Sequence, residues 1–244
     1  MVRGQTQIDE NGHQVALFPL ESFIITQRDD ETYSHDPTRY LATDYQAFHY
    51  TSGSDTQIGT GYVLTFHEYY APVDMVCVGM DTTNASILWR SINPVHLAND
   101  NIDYLILLFY HDNRVPAGDY SVGDTVSQGD IIGHTGTYGN GGSTVANHVH
   151  MESGYGQNWN RVYANPSWGH INLDYALHNY TAMYGNDTTC YGISSYPDKY
   201  PWQYYQGPTP PPPTPTSGKK KGFPWYITAN KRRNNYWYYW HYII

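Results

Sequence analysis

Apolar positions fall in short runs broken by Asn, Asp, Pro and Gly. Residues 71–80 (APVDMVCVGM), 85–91 (ASILWRS) and 103–110 (DYLILLFY) are β-branched, leucine-rich or aromatic, and are expected to be strands of one antiparallel sheet. The next stretch twice sets a short apolar pair between glycines, at 122–126 (VGDTV) and 129–133 (GDIIG), as hairpins with tight turns do. Residues 136–142 (GTYGNGG) read as a flexible loop, and 147–152 (NHVHME) as a strand entering beside it. Residues 46–68 read as an insertion or a pair of extra strands, with His49 and His67 solvated.

Composition supports this all-β reading. The 244 residues are 16% aromatic, with 26 Tyr and 22 Gly, which favours short strands and turns over long helices. Residues 207–216 (GPTPPPPTPT) form an extended polyproline spacer, because each proline fixes φ and removes a backbone donor. The expected organisation is a domain over 1–206, with its core at about 18–154 and an aromatic-rich extension over 155–206. A Pro-rich linker at 207–218 and a basic aromatic tail at 219–244 follow. The tail is too short to bury a core of its own.

The net charge of −9 conceals an asymmetry: all 22 acidic residues precede the spacer, while six basic residues, Lys219 to Lys221 and Lys231 to Arg233, follow it. An acidic body excludes a nucleic-acid groove, which needs clustered Lys and Arg. No stretch approaches the roughly 18 apolar residues of a membrane span. The first residues, MVRGQ, lack the apolar run of a secretory leader, so export, if any, is expected by another route. Cys77 and Cys190 form a disulfide or remain free thiols; their spacing does not decide.

Chemistry concentrates in histidines. His148 and His150 flank Val149, and residues two apart on a strand face one side, so both imidazoles point together while Val149 faces the core. An H-x-H alone is equally well two surface histidines. Further donors are offered by His35 and Asp44, nine positions apart across an expected loop. Two nitrogens and one carboxylate, with a fourth position open to water, is a donor set that suits catalytic zinc. His111 ends the run LILLFY, where a strand terminus holds a side chain over a site.

These segments, taken in order, resemble the lysostaphin-like (LytM-type) zinc metallopeptidases. The matches are residues 33–45 (YSHDPTRYLATDY), 71–80, 103–113 (DYLILLFYHDN), 122–142 and 147–152, so the resemblance spans roughly 18–154. It implies one zinc ion held by His35, Asp44 and His150, with His148 and His111 beside the open coordination site. His148 is taken as the general base and His111 as the residue that orients water or donates to the oxyanion, with these roles exchangeable. The family commonly sets Asp four residues after the first His, where this chain has Arg39. Asp36 is nearer but is followed by Pro37, so Asp44 is assigned instead.

The resemblance further implies hydrolysis of peptide bonds in peptidoglycan stems or cross-bridges. The spacer and tail resemble those of bacteriophage wall hydrolases mounted on tail tips, so the expected location is the virion, with phage tail proteins as partners. Extracellular action or host lysis is the alternative location. The tail, with nine aromatics over 223–244, is alternatively an interfacial segment on an anionic membrane. The rival function is a catalytically silent wall-binding or structural virion protein. Trp159, Trp168 and Trp202 are expected to pack, not to stack on sugars.

Overall fold

The computed structural model describes residues 6–20, 23–30, 35–49, 62–63, 66–157, 169–185 and 202–207. The chain divides into two units, 1–207 and 208–244, and every described residue lies in the first. The linker beyond Gly207, the tail, Trp159, Trp168 and Cys190 lie outside the described residues.

The described part is mostly antiparallel β-structure. Its strands are β1 (Phe23–Gln27), β2 (Ala42–His49), β3 (Tyr62–Val63), β4 (Glu68–Tyr70), β5 (Met75–Asp81), β6 (Ser86–Ser91), β7 (Val95–His96) and β8 (Ile102–Asp103). There follow β9 (Leu105–Tyr110), β10 (Thr125–Val126), β11 (Ile131–His134), β12 (Gly136–Tyr138), β13 (Thr144–Tyr155) and β14 (Ala176–Leu177). Two single-turn helices, α1 (Arg114–Ala117) and α2 (Asn179–Ala182), complete it. None of the described helices is long and apolar enough to cross a membrane.

The main sheet runs β1-β2-β13-β9-β6-β5-β10, so the three apolar runs of the sequence become the neighbours β5, β6 and β9. Strand β9 sits centrally, and all six of its residues are buried. An unbroken apolar run is what a strand covered on both faces requires. Leu105, Leu107 and Phe109 point into the main core with Trp89, Met75 and Phe18. Ile106, Leu108 and Tyr110 meet Ile171 on the opposite face. Trp202 packs on Phe18 and Phe23, with ring centres 4.6 and 5.7 Å away. Cys77 is a buried free thiol, pushed up to about 11 by burial.

Three expectations are corrected. The repeated glycine pattern is not a hairpin: β10 pairs with β5, and β11 with β4. What repeats is a turn, 121–124 (SVGD) and 127–130 (SQGD). In each the Asp carboxylate accepts the Ser N–H, at 2.8 and 2.9 Å, and glycine takes a positive φ of 100° or 86°.

Residues 136–142 are not a flexible loop either. Gly136 to Tyr138 form β12 against β13, and 140–142 make a 3-10 turn. Gly136 serves close approach, since a Cβ there would lie 1.9 Å from the His111 carbonyl oxygen. His67 is half-buried, not solvated, with its backbone hydrogen-bonded to Thr135.

Candidate metal centre

Strand pairing brings the site together. In the antiparallel pairing of β2 with β13, Asp44 is directly opposite His150, and directly opposite side chains share a face. Val149 is buried at 1% exposure and faces the core, which turns His148, His150 and Glu152 to the other side. His35 precedes β2 and is also buried. One donor atom each from His35, Asp44 and His150 lies within 4.8 Å of the others. The expected ligand trio is therefore brought together.

Each imidazole has its outward nitrogen engaged, which fixes the atom it presents. His35 Nδ1–H donates to the Arg28 carbonyl at 3.1 Å, leaving Nε2 3.2 Å from Asp44 Oδ1. His150 Nε2–H donates to Glu152 Oε1 at 3.2 Å, and its Nδ1 lies 3.0 Å from Asp44 Oδ1. His148 Nδ1–H donates to the Ala146 carbonyl at 2.5 Å, with Nε2 3.5 Å from Asp44 Oδ2. The side chains of Asp44, His148 and His150 are 11, 13 and 10% exposed while that of His35 is 2%, so solvent reaches the cluster from one side.

His111 follows β9 at a positive φ of 80°, a region side chains rarely adopt and one associated with functional sites. Its Nδ1–H donates to the Tyr138 carbonyl at 2.8 Å, and its ring centre is 4.4 Å from that of His148. Asp36 is turned away: Oδ1 accepts the N–H and hydroxyl of Thr38 at 3.0 and 2.7 Å. Arg39, where the family commonly has Asp, is 78% exposed and pairs with Asp36. Of Asp36 and Asp44, it is Asp44 that joins His35 and His150.

The electrostatics are polarised. Burial alone would raise the Asp44 carboxyl, but hydrogen bonds from His150 and His35 outweigh it and hold the group well below the usual carboxylate range. Burial opposes the His150 charge, yet Asp44 and Glu152 on its two sides raise it to about 9. An ion on Nδ1 must displace that proton. His111 is lowered to about 3, first by burial and then by the neighbouring His148 and His150.

Two residues escaped the sequence reading. Glu152 is fully buried and accepts from His150, from His170 Nδ1–H at 2.5 Å and from the Ile171 N–H at 2.8 Å. Burial would raise its pKa, but hydrogen bonds from His150 and His170 lower it. The alternation that pairs His148 with His150 also reaches Glu152, so a signal for it existed. His170 carried none.

No protein-family model matches the chain. Over 140 residues it is 29% identical to Morphogenesis protein 1 of Bacillus phage B103, a stretch equal to 57% of this chain and 32% of that protein. The chain thus spans about a third of the length of the phage protein to which it is similar.

Proposed function

We propose that the chain is a zinc-dependent peptidase of the lysostaphin-like (LytM) type, carried in a phage particle at the tail, which hydrolyses peptide bonds of peptidoglycan. One observation carries the chemistry: His35 Nε2, an Asp44 oxygen and His150 Nδ1 converge within 4.8 Å, with further histidines at the solvent side. The donor set fits the ion. Two imidazole nitrogens and one carboxylate make a three-ligand zinc site, and the outward N–H of each ligating histidine already has an acceptor.

Zinc held by His35, Asp44 and His150 would supply a Lewis acid and make the attacking water more acidic. The protein's own groups do the rest. His148 commits Nδ1–H to the Ala146 carbonyl, which leaves Nε2, beside Asp44, to take the proton of the attacking water as general base. His111 is held neutral, and its Nδ1–H is committed to Tyr138, so its Nε2 accepts a hydrogen bond and orients water. That favours water positioning over donation to an oxyanion, which needs a proton on Nε2.

A second reading has its own support. The phage relative is named a morphogenesis protein, which favours a structural virion protein, with the metal site then silent. Metal analysis of the purified full chain, coupled to mass spectrometry of muropeptides released from cell wall, separates the two. The enzyme reading expects one zinc per chain and chelator-sensitive release of peptides with new amino termini. Zinc without turnover supports the silent reading, and no zinc at all sinks the enzyme.

A further inference from the structure

Glu152 lies beyond the proposed ligands yet is the most deeply buried acid beside them. An ionised carboxylate out of water is costly unless donors surround it. Glu152 has three: His150 Nε2–H and His170 Nδ1–H on Oε1, and the Ile171 N–H on Oε2. His170 is itself oriented, stacked on Tyr40 at 3.8 Å with the rings 2° from parallel. The segment bearing it is anchored where β14 pairs with β13, Leu177 opposite Ser153 and Ala176 opposite Gly154.

His150 is the ligand in need of such support. The His35 ring is fixed by a main-chain carbonyl, whereas among the described residues the second nitrogen of His150 meets only the Glu152 side chain. Without an acceptor at Nε2, the ring proton is free to occupy Nδ1, the atom that must hold the ion. His150, Glu152 and His170 also lie within 4.8 Å of one another, close enough to hold an ion themselves. Hydrogen bonding accounts for that closeness, because both Glu152 oxygens already accept N–H groups.

The geometry points to Glu152 and His170 as a positioning pair: His170 orients Glu152, and Glu152 locks His150 in the tautomer that offers Nδ1 to the ion shared with His35 and Asp44. This rests on the zinc reading above.

The test measures zinc affinity of the full chain by chelator competition, together with the visible spectrum of the cobalt-substituted protein. Glu152→Gln is expected to weaken zinc by about 10- to 100-fold and to alter the cobalt spectrum. His170→Leu is expected to weaken it in the same direction. His170→Asn restores affinity, because an amide N–H reaches the place of Nδ1–H. His170 is 19% exposed, so its variants decide the matter even if Glu152→Gln fails to fold.

Wild-type affinity and spectrum in both Glu152→Gln and His170→Leu overturn the pair. So does a wild-type content of two ions per chain with one lost in Glu152→Gln, which makes Glu152 a ligand. A wild-type chain that takes up no zinc sinks the zinc reading itself, a failure distinct from the other two.

Discussion

Asp44 and His150 face each other across the pairing of β2 with β13, Oδ1 to Nδ1 at 3.0 Å. The contact is made by register, so a substitution there changes chemistry before it changes fold. Asp44→Asn keeps the shape and removes the charge. Zinc affinity is expected to fall by more than the roughly 10- to 100-fold that loss of an outer partner costs. Circular dichroism should stay native. An Asn variant that binds zinc like wild type removes Asp44 from the ligand set.

Gly136 governs how closely β12 approaches the end of β9. A Cβ would meet the His111 carbonyl oxygen at 1.9 Å and Asn113 Oδ1 at 2.6 Å, and the first is backbone that cannot swing aside. Gly136→Ala is expected to cost about 1–3 kcal/mol, seen as a lower Tm. Because the shift falls on His111, hydrolysis should fall while zinc content holds. An unchanged Tm would show that the contact between β12 and the His111 carbonyl yields freely.

His178 ties α2 to the end of the β1 segment, with Nδ1 2.5 Å from Asp29 Oδ2. The Asp29 hydrogen bond raises its pKa, outweighing partial burial. A raised folded value means stabilisation fully present below the unfolded pKa of about 6.5 and lost as pH rises through the folded one. Removing the imidazole with His178→Gln should therefore lower Tm most in mildly acidic buffer and least in alkaline buffer. A gap that widens with pH contradicts the assignment.

How far the site was legible depended on the range of the contacts. Alternation along 147–152 placed His148 and His150 on one face and Val149 in the core, because a strand's period is fixed locally. The same alternation reached Glu152, but no residue type nearby announced a partner for it. His35 and Asp44 stood out as candidate donors by residue type, but the choice of Asp44 over Asp36 came only through the resemblance, since the place of Asp44 beside His150 is set by β2–β13 register across 106 positions. His170 depends on a segment folding over β9, which no local pattern encodes. The glycines of 136–142 misled because glycine marks close approach as well as flexibility, and only the tertiary neighbour, here the His111 carbonyl, tells which.

His148 and His150 sit two residues apart yet are expected to fail differently. His150 presents Nδ1 to Asp44 and His35, so His150→Ala should lose zinc and activity together with the fold retained. The His148 Nε2 stands off at 3.5 Å from Asp44 Oδ2, outside the trio of converging donor atoms, and is assigned the base role in the proposed reading. His148→Ala should keep one zinc per chain while hydrolysis falls by about 10²- to 10⁴-fold, the contribution of a positioned proton acceptor. Zinc content and turnover measured on one preparation make the comparison. Normal turnover in His148→Ala would remove His148 as the base.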